Sequence, residues 1–268
     1  MDRKEWKLRK DLCKAGHRLY RAGFMAGSDG NLSVLLNEDK VLITPSRLCK
    51  GFLQPYEIIK VDRRGQKLSG DLPPSLELSM HLAGYEERSD ISAVAHCHPP
   101  YLIAFTVAQQ QLPSMVLPEI EVLFGGSIPL ASYATPGTKE LGDSIRKIVR
   151  RKETVLVLLD HHGTLAVGND IYQAAMRTEH AENAAKVIYY ARQLGAIKPL
   201  PSDAVAGLRE TRANLKAMES RVFPGAHSEI SSEESPKPAK QESIADQHDI
   251  ESIVQKVLSE MREMRTIG

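Results

Sequence analysis

Two apolar runs in this chain end on histidine, Ile91-Ser-Ala-Val-Ala-His96-Cys97-His98 and Thr154-Val-Leu-Val-Leu-Leu159 followed by Asp160-His161-His162-Gly163. Each run has strand length, so the fold must be a sheet that brings imidazoles to its strand ends. Strand side chains alternate faces, so His96 and His98 project the same way and can close on one ion. Cys97 points to the opposite face and is not counted as a ligand. A third ligand must come from elsewhere, and the histidine cluster behind the second run supplies a source. Three neutral imidazoles leave one position open, as in catalytic rather than structural zinc sites. Affinity alone does not select zinc over other transition metals. An isolated His-X-His is common and a lone histidine is more often a hydrogen-bonded structural residue; it is the second cluster that favours a metal.

The rest of the chain frames these runs. The first twenty-odd residues read as a helix, with Trp6, Leu12, Leu19 and Tyr20 among its apolar positions and Gly23 as its stop. A glycine-rich turn, residues 27–31, opens into a hairpin pattern over 32–36 and 41–44. An extended segment at 57–61 follows, then a helix from Ser75 to Glu87 behind Pro73-Pro74, carrying Glu77 and His81 on neighbouring turns. Helices are expected from Pro100, after Tyr133-Ala-Thr-Pro-Gly-Thr138, over 171–194 and over 203–219, with a short strand near Ile128 and a return strand through Leu165-Ala-Val167. Helices flanking short strands joined by hairpin-length turns give an α/β class: three layers, α/β/α, with a mostly antiparallel central sheet.

Composition changes abruptly after Phe223. Residues 225–243 have almost no bulky apolar side chains, which predicts a flexible linker over 223–247 between a catalytic domain, 1–222, and a terminal segment, 248–268. In that segment Ile250, Ile253, Val254, Val257, Leu258 and Met261 form one stripe of an amphipathic helix. A tethered helix of this kind needs a groove to bury its stripe. Its polar face mixes acids with Lys256, Arg262 and Arg265, which disfavours a membrane surface. The formal charge is +1, from 35 basic and 34 acidic residues, so no global field favours nucleic acid or membrane. Three scattered cysteines and a charged start without a signal pattern predict a reducing, cytoplasmic setting.

Glycine-rich turns with hydroxyl residues present backbone N–H groups to anions, and this chain has candidates at Gly27-Ser28, Gly30-Asn31, Thr44-Pro-Ser46-Arg47 and Ser75. Taken in order with the histidines, Gly-Ser-Asp-Gly-Asn-Leu-Ser, Ile-Thr-Pro-Ser, Pro-Ser-Leu-Glu, His-Cys-His, Tyr-Ala-Thr-Pro-Gly-Thr and His-His-Gly resemble the class II aldolase/adducin family, and within it the L-fuculose-1-phosphate aldolases. The resemblance spans residues 5–220 and is specific as an ordered set.

The resemblance implies one zinc ion per subunit on His96, His98 and His162, with His161 a neighbour. Glu77 would be the fourth ligand at rest and the general base in turnover, and Ser28, Gly30, Asn31, Ser46 and Ser75 would hold the substrate phosphate. It further implies a homotetramer that cleaves a deoxyketose 1-phosphate, such as L-fuculose or rhamnulose 1-phosphate, to dihydroxyacetone phosphate and L-lactaldehyde. Three departures stand out. Leu76 replaces a phosphate-binding serine, Arg47 stands where a glycine follows the hydroxyl residue, and Glu119 aligns with a tyrosine that donates a proton to the aldehyde. Arg47 is positioned to supply a phosphate charge instead. Other members epimerise or dehydrate sugar phosphates, and adducin-like members are structural. Glu77 counts against the epimerases, which have aspartate there, and the intact histidines count against an adducin-like role. The tail, Asp249 to Leu258 above all, resembles the encapsulation peptides of bacterial microcompartment enzymes, which implies a shell protein or other cargo as the partner of residues 248–265. The alternative is a helix that packs on the oligomer itself.

Overall fold

The structure, a computed structural model, describes residues 1–222. The expected linker and terminal amphipathic helix lie outside the described residues. Eight strands form one sheet: β1 (Asn31–Leu35), β2 (Lys40–Ile43), β3 (Ile59–Asp62), β4 (Lys67–Ser69), β5 (Ala93–Cys97), β6 (Leu130–Ala131), β7 (Leu156–Leu159) and β8 (Gly163–Gly168). Their order is β4-β3-β2-β1-β5-β8-β7-β6, antiparallel throughout except for β6 beside β7. The mostly antiparallel α/β architecture read from the sequence is thus the one observed.

Helices cover both faces. On one lie α1 (Arg3–Arg21), α3 (Pro100–Val107), α4 (Pro118–Phe124) and α6 (Ile171–Leu194); on the other lie α2 (Leu78–Glu87) and α5 (Lys139–Val149). A seventh helix, α7 (Ser202–Val222), packs against α4. Strand alternation divides the core. Ala93, Ala95, Cys97, Leu156, Leu158 and Ala166 face the α6 side, whereas Val94, Val157, Leu159, Leu165 and Val167 face the α2 side. On the α6 side the contact is small against small, since Ala174, Ala181, Ala184 and Ala185 meet the strand alanines, and this lets a long helix lie close to the sheet. Asp2 and Asp170 cap α1 and α6 by accepting the backbone N–H groups of Glu5 and Gln173.

Four details depart from the sequence expectations. Helix α2 begins at Leu78 rather than Ser75, because Pro73 and Pro74 hold the chain extended and Ser75 starts a turn whose carbonyl accepts the Leu78 N–H. Glu77 therefore sits at the N-cap position (φ −94°, ψ 18°) and not on the helix. Residues 55–57 form a 3₁₀ turn in which Glu57 bonds back to the Gln54 N–H, so the extended segment starts at Ile59. Helix α4 and strand β4 were not anticipated; α4 carries Pro118 at its start and Gly125 in the left-handed region at its end, the usual punctuation of a short helix. No helix among the described residues is long and apolar enough to cross a membrane.

Candidate metal centre and active site

The centre forms where β5 ends and its antiparallel neighbours β1 and β8 begin. Register pairs Asn31 of β1 with His96 of β5, and His96 with Leu165 of β8, so these side chains share the α2 face of the sheet. His98 follows one residue beyond β5, anchored by its N–H to the Phe24 carbonyl. His162 lies in the β7–β8 turn, where its N–H bonds the Leu159 carbonyl and the preceding His161 takes a left-handed backbone (φ 55°). Gly163 is required here: a side chain at that position would collide with the Cys97 carbonyl and the His98 ring.

The three rings converge. Ligand atoms of His96, His98 and His162 lie within 4.8 Å of one another. The Nε2 atoms of His96 and His98 are 2.9 Å apart, and Glu77 places Oε2 3.2 Å from His96 Nε2 and Oε1 3.2 Å from His162 Nε2. Second contacts orient two of the rings. His96 Nδ1 is 2.9 Å from the Thr164 carbonyl, which only accepts, so the proton sits on Nδ1 and leaves Nε2 a bare lone pair. His98 Nδ1 faces Asp29 Oδ2 at 3.5 Å. In the neutral His96 ring, then, the bare Nε2 faces Glu77 Oε2 at 3.2 Å, acceptor against acceptor. Glu77 Oε1 and His162 Nδ1 are moreover buried with no hydrogen-bond partner. Buried polar atoms are seldom left so. Three imidazoles and a carboxylate crowding one point suit a divalent cation such as zinc.

Electrostatics agree. Burial alone would raise the Glu77 carboxyl, yet the imidazoles of His96 and His162, positive whenever they take up a proton, together with the Asn31 amide N–H, overcome it and hold Glu77 far below the usual carboxylate range. His98 is pushed down to about 3 by burial, reinforced by the neighbouring imidazoles of His96 and His162 and opposed by Glu77. Both groups favour the deprotonated forms that metal ligands require.

Around Glu77 the candidate anion loops meet. Asn31 Nδ2 donates to Glu77 Oε2 at 2.7 Å, and Ser75 Oγ accepts the Glu77 N–H at 3.3 Å. The Ser46 N–H bonds the Pro73 carbonyl, and Pro45 and Pro74 form an isolated antiparallel bridge, which binds the 44–47 and 73–77 segments together. Thr44 Oγ1 accepts the Leu32 N–H, joining this pair to β1. Gly30 (φ 68°) could carry no side chain, since a Cβ would meet the His96 carbonyl and Met25. Ser28 and Arg47 are exposed, Ser46 is half-buried, and Ser75 is buried. Arg47 has φ 62°, the left-handed region that favours glycine, so the residue that departs from the fuculose pattern keeps a glycine-like backbone. Glu119 is exposed on the first turn of α4, and no hydrogen bond or ion pair joins it to the histidines among the described residues.

Two further residues line the site: Lys50, which the sequence does not single out, and His81, which the sequence places one turn from Glu77 without a role. Lys50 is buried, and its Nζ donates to the carbonyls of Ser28 (2.6 Å) and Leu48 (2.8 Å), linking the 27–31 loop to the segment behind Arg47. Burial lowers the Lys50 amine, opposed by the charges of Asp29, Cys49 and Glu77. His81 is fully buried beside Asn31.

The family model described as "Class II Aldolase and Adducin N-terminal domain" matches residues 10–189. The chain belongs to that family. It is 34% identical over 212 residues to a 3-oxo-tetronate 4-phosphate decarboxylase of Cupriavidus necator, covering 77% of this chain and 96% of that one. It is 31% identical over 204 residues to a 5-deoxy-D-ribulose 1-phosphate aldolase of Bacillus thuringiensis, covering 75% and 93%. Among solved structures, an L-fuculose 1-phosphate aldolase superimposes with a TM-score of 0.69 at 30% identity, covering 76% of this chain and 95% of the other. The protein is a class II aldolase-family enzyme of sugar-phosphate metabolism whose histidine triad is built for a divalent metal.

Proposed function

We propose that this chain is a zinc-dependent aldehyde-lyase that cleaves L-fuculose 1-phosphate, or a similar deoxyketose 1-phosphate such as rhamnulose 1-phosphate, to dihydroxyacetone phosphate and L-lactaldehyde. The observation that carries this reading is the meeting of Glu77 with His96 and His162, each at 3.2 Å, beside the loops that hold Asn31, Ser46 and Ser75. His96, His98 and His162 would hold one zinc ion per subunit, with Glu77 as the resting fourth ligand. A bound divalent ion supplies Lewis acidity, withdrawing electron density from the substrate carbonyl as the adjacent bond breaks.

The protein's own groups do the rest. Backbone N–H groups at Ser28 and Gly30, the Asn31 amide and the hydroxyls of Ser46 and Ser75 receive the phosphate, with the Arg47 guanidinium in place of the family's glycine. Lys50 adds a buried positive charge beneath Ser28. The substrate's C4 hydroxyl loses its proton, the C3–C4 bond breaks to give the aldehyde, and the electron pair passes into an enediolate. Glu77, which takes up one proton from solvent per turnover to balance the one that leaves from the C4 hydroxyl, delivers it to C3 of that enediolate, completing dihydroxyacetone phosphate, and takes it back in the reverse direction. Glu119 would handle the hydroxyl proton, reaching the site in the assembled homotetramer.

Decarboxylation of a 3-oxo-acid phosphate is the second reading, favoured by the relative from Cupriavidus necator. It too breaks a carbon–carbon bond beside a carbonyl and leaves an enediolate for Glu77 to protonate. Zinc-loaded protein offered L-fuculose, L-rhamnulose and 5-deoxy-D-ribulose 1-phosphates, 3-oxo-tetronate 4-phosphate and a pentulose 5-phosphate separates these readings. Dihydroxyacetone phosphate from a ketose 1-phosphate, lost on chelation and restored by zinc, supports the aldolase. Carbon dioxide release alone makes it a decarboxylase, epimer formation alone an epimerase, and no product from any of them an adducin-like protein.

For the tail, the proposal is a linker at 223–247 and a helix at 248–268 whose residues 248–265 dock on a microcompartment shell protein or other cargo, which would place this cytoplasmic enzyme inside a shell. A fluorescent protein carrying residues 224–268 should then gather with shells in shell-forming cells. A diffuse signal would count against it.

A further inference from the structure

We propose that His81 is a positioning residue, which fixes the Asn31 amide so that its N–H group, and not its oxygen, faces Glu77 and orients that carboxylate. The inference rests on the reading of Glu77 as the proton carrier. It starts from spacing. Glu77, His81 and Tyr85 fall four residues apart on one face of α2 and its cap, while Asn31 and Ser33 fall two apart on one face of β1. The two rows interleave into a single chain of contacts. Asn31 lies 2.7 Å from Glu77 Oε2 and 2.5 Å from His81 Nε2, and Ser33 Oγ lies 2.7 Å from both His81 Nδ1 and the Tyr85 hydroxyl.

Donor and acceptor chemistry assigns every proton in that chain. A carboxylate only accepts, so the Asn31 atom facing Glu77 is the NH₂ group. The Asn31 oxygen then faces His81, whose Nε2 must carry a hydrogen to donate. In a neutral ring Nδ1 is bare and accepts from the Ser33 hydroxyl, and the Ser33 oxygen accepts from Tyr85. All five side chains are buried, so water does not compete and each link constrains the next. Burial pushes His81 down to about 3 and keeps the ring neutral. Reversing the Asn31 amide would turn its oxygen toward the carboxylate and its NH₂ group against His81 Nε2–H, a clash at both ends for as long as the Ser33 hydroxyl donates to Nδ1 and keeps the hydrogen on Nε2.

The test uses the zinc-loaded full-length protein. His81→Leu should lower kcat by about ten- to a hundredfold, with KM for the phosphorylated substrate nearly unchanged. His81→Gln, whose amide can both donate to Asn31 and accept from Ser33, should recover most of that loss. If His81→Leu does not fold, Ser33→Ala cuts the same chain and should lower kcat in the same direction. Nitrogen-15 NMR of the labelled histidines should find His81 as the neutral Nε2–H tautomer from pH 6 to 8. Wild-type kcat in the folded variants, a loss confined to KM, or the Nδ1–H tautomer overturns the proposal. If the wild-type protein turns over no sugar phosphate, the proton-carrier reading fails instead, and the tautomer alone decides the relay.

Discussion

Two buried clusters of charge sit on this sheet, and they are built in opposite ways. At the outer side of β3, Arg9 of α1 donates to Glu5 and to the carbonyls of Pro55 and Ile58, while Lys60 completes Glu5 at 3.0 Å. Both Glu5 oxygens have partners, cation meets anion, and although burial pushes the Glu5 carboxyl up, Lys60 and Arg9 hold it below its ordinary value. At the ends of β1, β5 and β8, Glu77 instead faces ring nitrogens, and one carboxylate oxygen and one imidazole nitrogen are buried without a hydrogen bond. The first cluster closes on itself and holds a helix to a strand. The second closes only around a cation. A buried charge cluster that satisfies itself is structure, and one that does not is a place for a ligand.

Exchanging one residue in each cluster should sharpen that contrast. Glu77→Gln is expected to lower kcat by about 10² to 10⁴-fold while the melting temperature stays near wild type, read from initial rates beside a thermal melt. A Glu77→Gln enzyme with wild-type kcat would remove Glu77 as proton carrier. Arg9→Met should do the reverse. It leaves Glu5 buried beside Lys60 alone, costing about 3–5 kcal/mol in urea unfolding, while turnover per folded molecule is kept. A loss of kcat without loss of stability would show the two clusters to be coupled.

Acid separates them next. In chelated protein, where metal release plays no part, His81 holds its ring neutral with a folded value of about 3 against an ordinary 6.5. The unfolded chain therefore takes up this proton first as pH falls, so the contribution is full above pH 6.5 and is lost progressively toward pH 3. Urea midpoints should fall across that window, and His81→Gln should flatten the fall. The smallest expected effect is at Arg47. Arg47→Gly relieves a left-handed backbone and should raise stability by about 1 kcal/mol, while KM for the phosphorylated substrate rises. If KM stays constant, the guanidinium does not touch phosphate.

The legible part of the molecule was what depends on short-range periodicity. The two-residue period of β5 put His96 and His98 to one side and Cys97 into the core beneath α6, and the pattern of α6 marked its ends at Ile171 and Leu194. Where proline and turn chemistry compete, periodicity is a poorer guide: Glu77 stands before its helix, because the turn at Ser75 ends only at Leu78. What could not be read were contacts between distant segments. The partner of the Lys50 amine is the carbonyl of Ser28, twenty-two residues away, and His81, placed by helix spacing one turn from Glu77, takes its role only from Ser33 and Asn31 of β1. The left-handed backbone of Arg47 was hidden for the same reason, since the residue type argues against it.

The pairing of Asn31 with His96 across the ladder of β1 and β5 has a further consequence. These two positions belong to strands more than sixty residues apart in the chain, yet the backbone ladder holds them as neighbours across one strand gap. Inserting or deleting one residue in either strand would turn one of the pair to the opposite face of the sheet. Change at this site is thereby confined to side-chain exchange and to the loops around it, while the strands themselves are closed to changes of length.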